Sequence, residues 1–263
     1  MFDALYIGAT GMQAQQLNVD TIANNLANVN TTGFKKGRVN FSDLMVRDAS
    51  RLMSNADGEV DLLAPFARAG MGVGIAGVSK MFDLGDLKQT GSAYDLTIQG
   101  DGFLEVLMPD GSSAYTRGGT LKINADGQLA TQAGHPLKPS VTVPDGTQKL
   151  TITSSGRVQA TVAGQANASE IGQLELVRFA NTQGLSAQGD GLYRATDASG
   201  AAITAKAGED GVGTLAQGVL EGSNVKMVDE MVNLMVAQRI YEANAKLVQA
   251  SDEMTGMANG LRK

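Results

Sequence analysis

The sequence predicts an α+β protein in which a long helix at each end pairs as a coiled coil and a central, mainly antiparallel β domain lies between them. Three observations predict this class. Apolar residues recur with heptad spacing in the first 30 residues and again after residue 235. Segments between the two helices alternate apolar and polar residues, and short glycine-containing turns separate these segments.

The same patterns predict three regions. Residues 1–33 and 222–263 form an inner coiled-coil helical domain. Residues 34–90 form an extended or irregular connecting region, because residues 46–75 carry no sustained period. Residues 91–221 form an outer β-rich domain.

Composition limits the function. The 263 residues are 43% hydrophobic, which suffices for one large or two modest cores. The net charge of −6, with scattered Lys and Arg, argues against a nucleic-acid groove or a polybasic patch that binds a membrane. Polar residues, among them Thr10, Gln13 and Asn18, interrupt the uncharged run between Asp3 and Asp20, so no membrane insertion is predicted. Cysteine is absent, which removes disulfides, thiolate metal sites and cysteine nucleophiles.

The N-terminal helix is predicted to end near Asn30, with Gly33 as a left-handed cap. The first Lys or Arg in the chain is Lys35. Amide side chains can make uncharged hydrogen bonds at close helix contacts, so the segment is suited to packing among other helices, where a charge is costly. The heptad positions are Phe2, Leu5, Ala9, Met12, Gln16, Val19, Ala23, Leu26 and Asn30, and the amides beside them include Asn24, Asn25 and Asn28.

The C-terminal helix is predicted over residues 223–261, with Ser223 or Asn224 as its cap. We call the row of apolar heptad positions on each terminal helix its seam. Burial of either seam alone does not offset the entropy lost when its helix becomes ordered, so both helices need partners on more than one side. The C-terminal seam contains Val236, Ile240, Ala243, Leu247, Ala250, Met254, Met257 and Leu261.

No catalytic, cofactor-binding or metal-binding residues are predicted. The single histidine, His135, precedes a proline in a turn, and no pair among the 27 carboxylates stands out. One alternative comes from "GVGIAG", Gly72 to Gly77, which matches the G-x-G-x-x-G pattern of nucleotide-binding enzymes. That motif needs a preceding strand and a following helix, and neither is predicted here.

The N-terminus lacks the basic region and continuous apolar stretch of a cleavable signal peptide. We therefore expect either a cytosolic protein or one exported without a cleavable signal.

Four stretches carry a family resemblance: "NNLANVNTTGFKK" from Asn24, "LGDLKQTGSAYDLTIQGDGFLEV" from Leu84, "AYTRGG" from Ala114, and "LEGSNVKMVDEMVNLMVAQRIYEANAKLVQASDEM" from Leu220. Together they resemble the bacterial flagellar rod and hook family over essentially the whole chain. The length favours the distal part of the rod, with the proximal part as the alternative.

The resemblance implies a structural, non-enzymatic protein without cofactors that self-assembles into a helical polymer spanning the periplasm. It implies that the terminal helices line a central channel and that the subunits leave the cell by the flagellar type III export apparatus. Implied partners are neighbouring rod and hook proteins and the surrounding P and L ring proteins. A rod-specific stiffening segment is implied at residues 46–69.

The predicted assembly interface combines both seams with the N-terminal amides. It consists of Leu5, Met12, Val19, Asn24, Asn25, Leu26, Asn28, Val236, Ile240, Ala243, Leu247, Ala250 and Met254.

Overall fold

The computed structural model describes residues 2–46, 69–163 and 167–260 and separates into two compact units. Among the described residues, unit 1 comprises residues 2–26, 37–46, 69–79 and 227–260, and unit 2 comprises residues 27–36, 80–163 and 167–226. Terminal helices and central antiparallel sheets confirm the α+β class. Of the expected connecting region, residues 37–46 and 69–79 group with the helices, and residues 34–36 and 80–90 group with the β strands of unit 2.

Unit 1 contains helices α1 (Phe2–Ala27) and α2 (Met227–Gly260). Helix α1 ends three residues before the predicted position, where turns begin, and Gly33 has the expected positive φ of 68°. Helix α2 begins four residues later than predicted. The reason is that the Asn224 side chain, expected as a cap, bonds instead to backbone groups of Lys36 and Met81.

Unit 1 also contains a two-stranded ribbon that the sequence did not predict. Strand β1 (Gly37–Val46) pairs with β2 (Ala69–Lys80). Residues 47–68, most of the predicted irregular segment, lie outside the described residues. Glycines at positions 70, 72, 74 and 77 remove the side chains that would have revealed the alternation of β2.

Unit 2 is built from short strands in antiparallel sheets, as the turn spacing predicted. The strands are β3 (Leu87–Gln89), β4 (Asp95–Gln99), β5 (Phe103–Leu107), β6 (Ser113–Thr116), β7 (Gly118–Ile123), β8 (Leu129–Thr131), β9 (Leu137–Lys138), β10 (Thr147–Ile152), β11 (Arg157–Val162), β12 (Ser169–Gln173), β13 (Glu175–Arg178), β14 (Ser186–Gly189), β15 (Leu192–Arg194), β16 (Ile203–Lys206), β17 (Thr214–Gln217) and β18 (Val219–Glu221). The largest described sheet runs β14-β15-β6-β5-β13-β16, with β9 also paired to β5. Other described sheets of unit 2 are β17-β4-β7-β8, β10-β11-β12 and β18-β3.

Two apolar clusters form the core of unit 2. The larger is aliphatic and includes Leu96, Ile98 and Val106, all fully buried. The smaller is aromatic and packs Phe103, Tyr193 and their neighbours edge to face at 4.8–6.1 Å between ring centroids. Strand alternation supplies both clusters, for example where Val106 pairs with Ala114 across β5 and β6.

Candidate assembly surfaces

Helix α2 presents two different faces. The face buried within unit 1 carries Glu230, Ala237 and Ser251, with Asn244 and Val248 partly buried. The predicted seam precedes these positions by one residue at several points, for example Val236 before Ala237 and Leu247 before Val248. One residue turns a helix by about 100°, so the predicted seam lies on a separate side.

That separate side is open in the single chain. Four large seam side chains, Val236, Ile240, Leu247 and Met254, are 40–53% exposed. Ala243 and Ala250 are exposed as well. Apolar side chains repeated on one exposed helix face indicate a surface that another element covers.

Helix α1 is buried on the face that carries Gly8, Ala14, Ile22 and Asn25. The predicted interface residues of α1 fall mostly beside this face: Leu5, Met12, Val19 and Leu26 are half-buried, and Asn24 is exposed. Asn28 lies in the turn after α1 and is also half-buried.

Two glycines bring α1 and α2 close together. A Cβ atom placed on Gly8 would lie 2.7 Å from Cγ2 of Val248, and one on Gly11 would lie 2.8 Å from Nδ2 of Asn244. Real Cβ atoms do not approach side chains so closely. Glycine weakens a helix at both positions, and the close contact of the two helices explains why it stands there.

Asn25 connects three elements of unit 1 and is 2% exposed. Its amide nitrogen donates to the Gly37 carbonyl at 2.9 Å, and its amide oxygen accepts from the Gly37 N–H at 2.8 Å. The same nitrogen donates to Oε2 of Glu230 at 3.2 Å. Asn25 thus makes buried hydrogen bonds to two other elements of its own unit. Asn28 also uses its side chain within the chain, because its amide oxygen accepts from the Thr31 hydroxyl at 3.1 Å.

In unit 2, a buried ion pair joins two distant segments. Lys35 and Glu221, with side chains 0% and 3% exposed, approach to 2.6 Å between Nζ and Oε1. Lys35 also donates to the Asp83 carbonyl at 2.6 Å, and Glu221 accepts from the Gly85 N–H at 2.9 Å. We call the Lys35–Glu221 pair with these two backbone contacts the clamp.

Burial and pairing act in opposite directions on Lys35. Burial lowers the pKa of its ammonium group below the usual value, while the hydrogen bond and charge of Glu221 oppose that shift. Arg117 adds a second cation, with its Nε 3.6 Å from Oε2 of Glu221. The clamp stabilises the fold, because the Lys35 ammonium and the Glu221 carboxylate contact each other and backbone atoms of other segments.

The sequence singled out two features that bear on possible chemistry, His135 and the Gly72–Gly77 motif. His135 lies in the turn between β8 and β9, where its backbone bonds to Thr131. Gly72 to Gly77 lie within strand β2, so this segment is not the loop that a dinucleotide motif needs before a helix. No group of three or more His, Asp or Glu side chains in the described residues could hold a metal ion.

Neither helix in the described part of the chain combines the length and apolar character needed to cross a membrane.

Comparison with known proteins gives full-length relatives. The chain is 43% identical over 266 residues to the flagellar basal-body rod protein FlgG of Borreliella burgdorferi, which covers 100% of both chains. It is 41% identical to FlgG of Caulobacter vibrioides, over 98% of this chain and 99% of the relative. The chain belongs to the flagellar basal-body rod family. FlgG of Bacillus subtilis is a more distant relative, 36% identical over 97% of each chain.

Three models of this rod and hook family match separate stretches of the chain. The flagella basal body rod protein model matches residues 5–35, and the flagellar basal body rod FlgEFG protein C-terminal model matches residues 216–261. The flagellar hook protein FlgE/F/G D1 domain model matches residues 97–160. The first two matches contain nearly all of α1 and α2, and the third lies in unit 2.

Sequence reasoning missed two structural sites of this rod-family chain. The bonds from Asn25 to Gly37 were missed because β1 was not predicted. The clamp was missed because Lys35 and Glu221 are 186 positions apart and neither stands in a local motif. The one sequence signal for Lys35 and Glu221 is that they lie within the stretches, beginning at Asn24 and Leu220, that resemble the family.

Proposed function

We propose that this rod-family subunit polymerises through its terminal helices into a helical tube that crosses the periplasm, transmits torque and surrounds the export channel. The observation that carries the proposal is the open heptad seam of α2, from Val236 to Met254. A seam that is apolar yet uncovered by its own chain fits a subunit completed by its neighbours.

In the polymer, α1 and α2 pair as a coiled coil. The close approach of Gly8 to Val248 supports this pairing. The half-buried residues Leu5, Met12, Val19 and Leu26 then join the α2 seam in contacts with neighbouring subunits. Asn24 and Asn28 supply uncharged polar contacts beside them.

The remaining partners follow from the family. We propose that the subunit is exported by the flagellar type III apparatus without a cleaved signal, contacts other rod and hook proteins, and turns inside the P and L rings. The subunit acts without catalysis. Identities of 43% and 41% to FlgG relatives, against 33% to a FlgF relative, support the distal part of the rod.

A charge in the open seam tests the proposal. Leu247→Asp is expected to prevent polymerisation, because the seam becomes dry in the tube and a carboxylate is costly there. The matched control is Gln249→Asp, which adds the same charge at an exposed position about 160° away around α2. Electron microscopy of basal bodies and swimming assays measure the result.

The β strands of unit 2 should stay folded in the Leu247→Asp variant, as checked by circular dichroism. Leu26→Asp is expected to behave in the same way. Normal rods and motility with either change would contradict the assigned interface.

A second measurement tests whether the helices depend on neighbours. In the isolated chain at high dilution, we expect fast hydrogen exchange throughout α1 and α2 and slow exchange in unit 2. Polymerisation should then slow exchange in both helices. Full protection of both helices in the dilute monomer would contradict the proposal.

A further inference from the structure

Three short segments of unit 2 lie where the chain passes to and from unit 1. Residues 33–36 stand between α1 and β1, residues 81–86 follow β2, and residues 221–224 precede α2. Hydrogen bonds join each of these segments to both of the others. We call the three joined segments the anchor, and the clamp is part of it.

The side chain of Asn224 joins the third segment to the other two. Its amide oxygen accepts from the Lys36 N–H at 2.8 Å, and its amide nitrogen donates to the Met81 carbonyl at 2.9 Å. The backbone N–H of Asn224 also donates to the Phe34 carbonyl at 3.3 Å. Hydrogen bonds have narrow limits of distance and angle, so a side chain that bonds to two other segments fixes their spacing.

Backbone contacts hold the same segments together. The Met81 N–H donates to the Lys36 carbonyl at 3.0 Å, which joins the first and second segments. A Cβ atom on Gly85 would overlap the Gly222 carbonyl oxygen, so the second and third segments approach as closely as glycine allows. The anchor therefore does not depend on the clamp alone.

We propose that the anchor positions α1 and α2 for assembly. It keeps the segment that follows α1 and the segment that precedes α2 together in the single chain, before a neighbouring subunit is present. Asn224 is a positioning residue in this account, because it acts on the helices through the segments that lead into them. The inference rests on the proposed polymerisation.

Holding these segments together makes the ordering of the helices less costly. Ala27, the last residue of α1, and Met227, the first residue of α2, are far apart in the sequence. The entropy lost when two parts of a chain meet increases with the length of the loop between them, and the anchor closes most of that loop in advance. A subunit preorganised in this way loses less entropy when its neighbours order its helices.

Distance measurements in the isolated chain test the anchor. Thr32→Cys and Lys226→Cys place thiols on exposed residues of unit 2, in a chain with no natural cysteine. Each thiol carries a nitroxide, and pulsed electron paramagnetic resonance gives the distribution of distances between the two labels. We expect a narrow distribution in the chain with its native anchor. It should become roughly twice as wide with Asn224→Ala, which removes both side-chain bonds, and with Gly85→Ala, which forces two segments apart.

Asn181→Ala is the matched control. Asn181 is another asparagine of unit 2 whose side chain accepts from one backbone N–H, of Gln183, and donates to one carbonyl, of Ala198. It lies outside the anchor, so its loss should leave the distribution narrow. A wide distribution with the native anchor would overturn the proposal, and so would equal widths for Asn224→Ala and Asn181→Ala.

Rod counts separate positioning from stability. Near-ultraviolet circular dichroism first checks that unit 2 of Asn224→Ala is folded. At the native expression level, we expect about threefold fewer complete rods by electron microscopy, because each joining subunit has lost its preorganisation. Raising the subunit concentration about tenfold should restore the count by mass action. Asn181→Ala should give native counts at both levels.

The outcomes distinguish this inference from the proposed function. Native rod counts for Asn224→Ala at the native expression level would overturn the inference and leave the rod function intact. A count that stays low at the higher concentration, with unit 2 folded, would also overturn the inference, because mass action offsets a loss of preorganisation. Failure of the native chain to polymerise would overturn both.

Discussion

The carboxamide of Asn25 pairs with both backbone groups of Gly37, at 2.9 Å to the carbonyl and 2.8 Å from the N–H. A side chain here completes the hydrogen bonding of the first residue of β1 as a neighbouring strand would. Because Asn25 is buried, water cannot replace it freely.

Asn25→Ala should therefore destabilise the start of β1 in assembled rods. Two buried backbone groups of Gly37 lose their partners, at a cost of about 2–4 kcal/mol. Hydrogen–deuterium exchange at the Gly37 amide should accelerate at least tenfold. Gln13→Ala, at an exposed position of α1, is the control and should change that rate little. Equal effects of the two substitutions would contradict the assigned role of Asn25.

Gly8→Ala should weaken the contact between α1 and α2. Alanine favours helix by about 1 kcal/mol over glycine, but its Cβ would lie 2.7 Å from Val248 and force the helices apart. Thermal dissociation of isolated rods should occur at a lower temperature. Val248→Ala in the same chain should restore part of the loss.

Gly256→Ala is the matched control for this pair of helices. Nothing lies within 4 Å of a Cβ at that position of α2, so the substitution should be neutral or stabilising. A lower dissociation temperature for Gly256→Ala than for Gly8→Ala would refute the steric explanation.

Lys35→Met should destabilise unit 2 strongly. Removing Lys35 takes one partner from a buried ion pair and leaves the Glu221 carboxylate with Arg117 as its remaining cation and the Gly85 N–H as a donor, at a cost of about 3–5 kcal/mol. Urea unfolding followed by near-ultraviolet circular dichroism of the buried tyrosines measures the change. Lys138→Met removes a solvent-exposed pair with Glu105 and should shift the midpoint little. Similar midpoints for the two variants would show that the clamp contributes no more than a surface pair.

Unit 2 should lose stability at alkaline pH through Tyr193. Burial raises the pKa of the Tyr193 hydroxyl to about 12, against 10.0 for an ordinary tyrosine. Between these values the unfolded chain releases a proton that the folded chain retains, so the free energy of unfolding falls as pH rises. The loss approaches roughly 3 kcal/mol above pH 12, at about 1.4 kcal/mol per pKa unit.

Tyr193→Phe isolates this contribution. The variant should keep the aromatic packing against Phe82 and Phe103 and show a flatter dependence of stability on pH above 10. Parallel pH profiles for the native chain and the variant would assign alkaline unfolding to other groups.

The terminal helices could be predicted because heptad spacing is a local sequence pattern, which can be recognised without knowing what packs against the helix. The turn residues predicted short antiparallel strands in unit 2 for the same reason. Strand β2 was missed because its glycines erase the alternation, and one of them, Gly72, has φ of 103° and would place a Cβ against the Thr10 hydroxyl. That requirement exists only once α1 and β2 have come together.

The predicted assembly surface stays a prediction, but the structure shows which of its residues the single chain leaves open. Heptad spacing identified Val236 and Leu247 on a face that the chain leaves open. It did not separate them from Asn25, whose partners Gly37 and Glu230 are contributed by other elements. Spacing identifies which residues share a side of one helix, but which side meets its own chain depends on tertiary contacts.

The clamp also sets a condition on the timing of folding. Lys35 precedes Glu221 by 186 positions, so a chain that emerges N-terminus first from a ribosome or a narrow pore must release most of its length before this pair can form. Until then the Lys35 segment lacks the carboxylate that neutralises it. A chain released only to a point before Glu221 therefore holds Lys35 without its ion-pair partner.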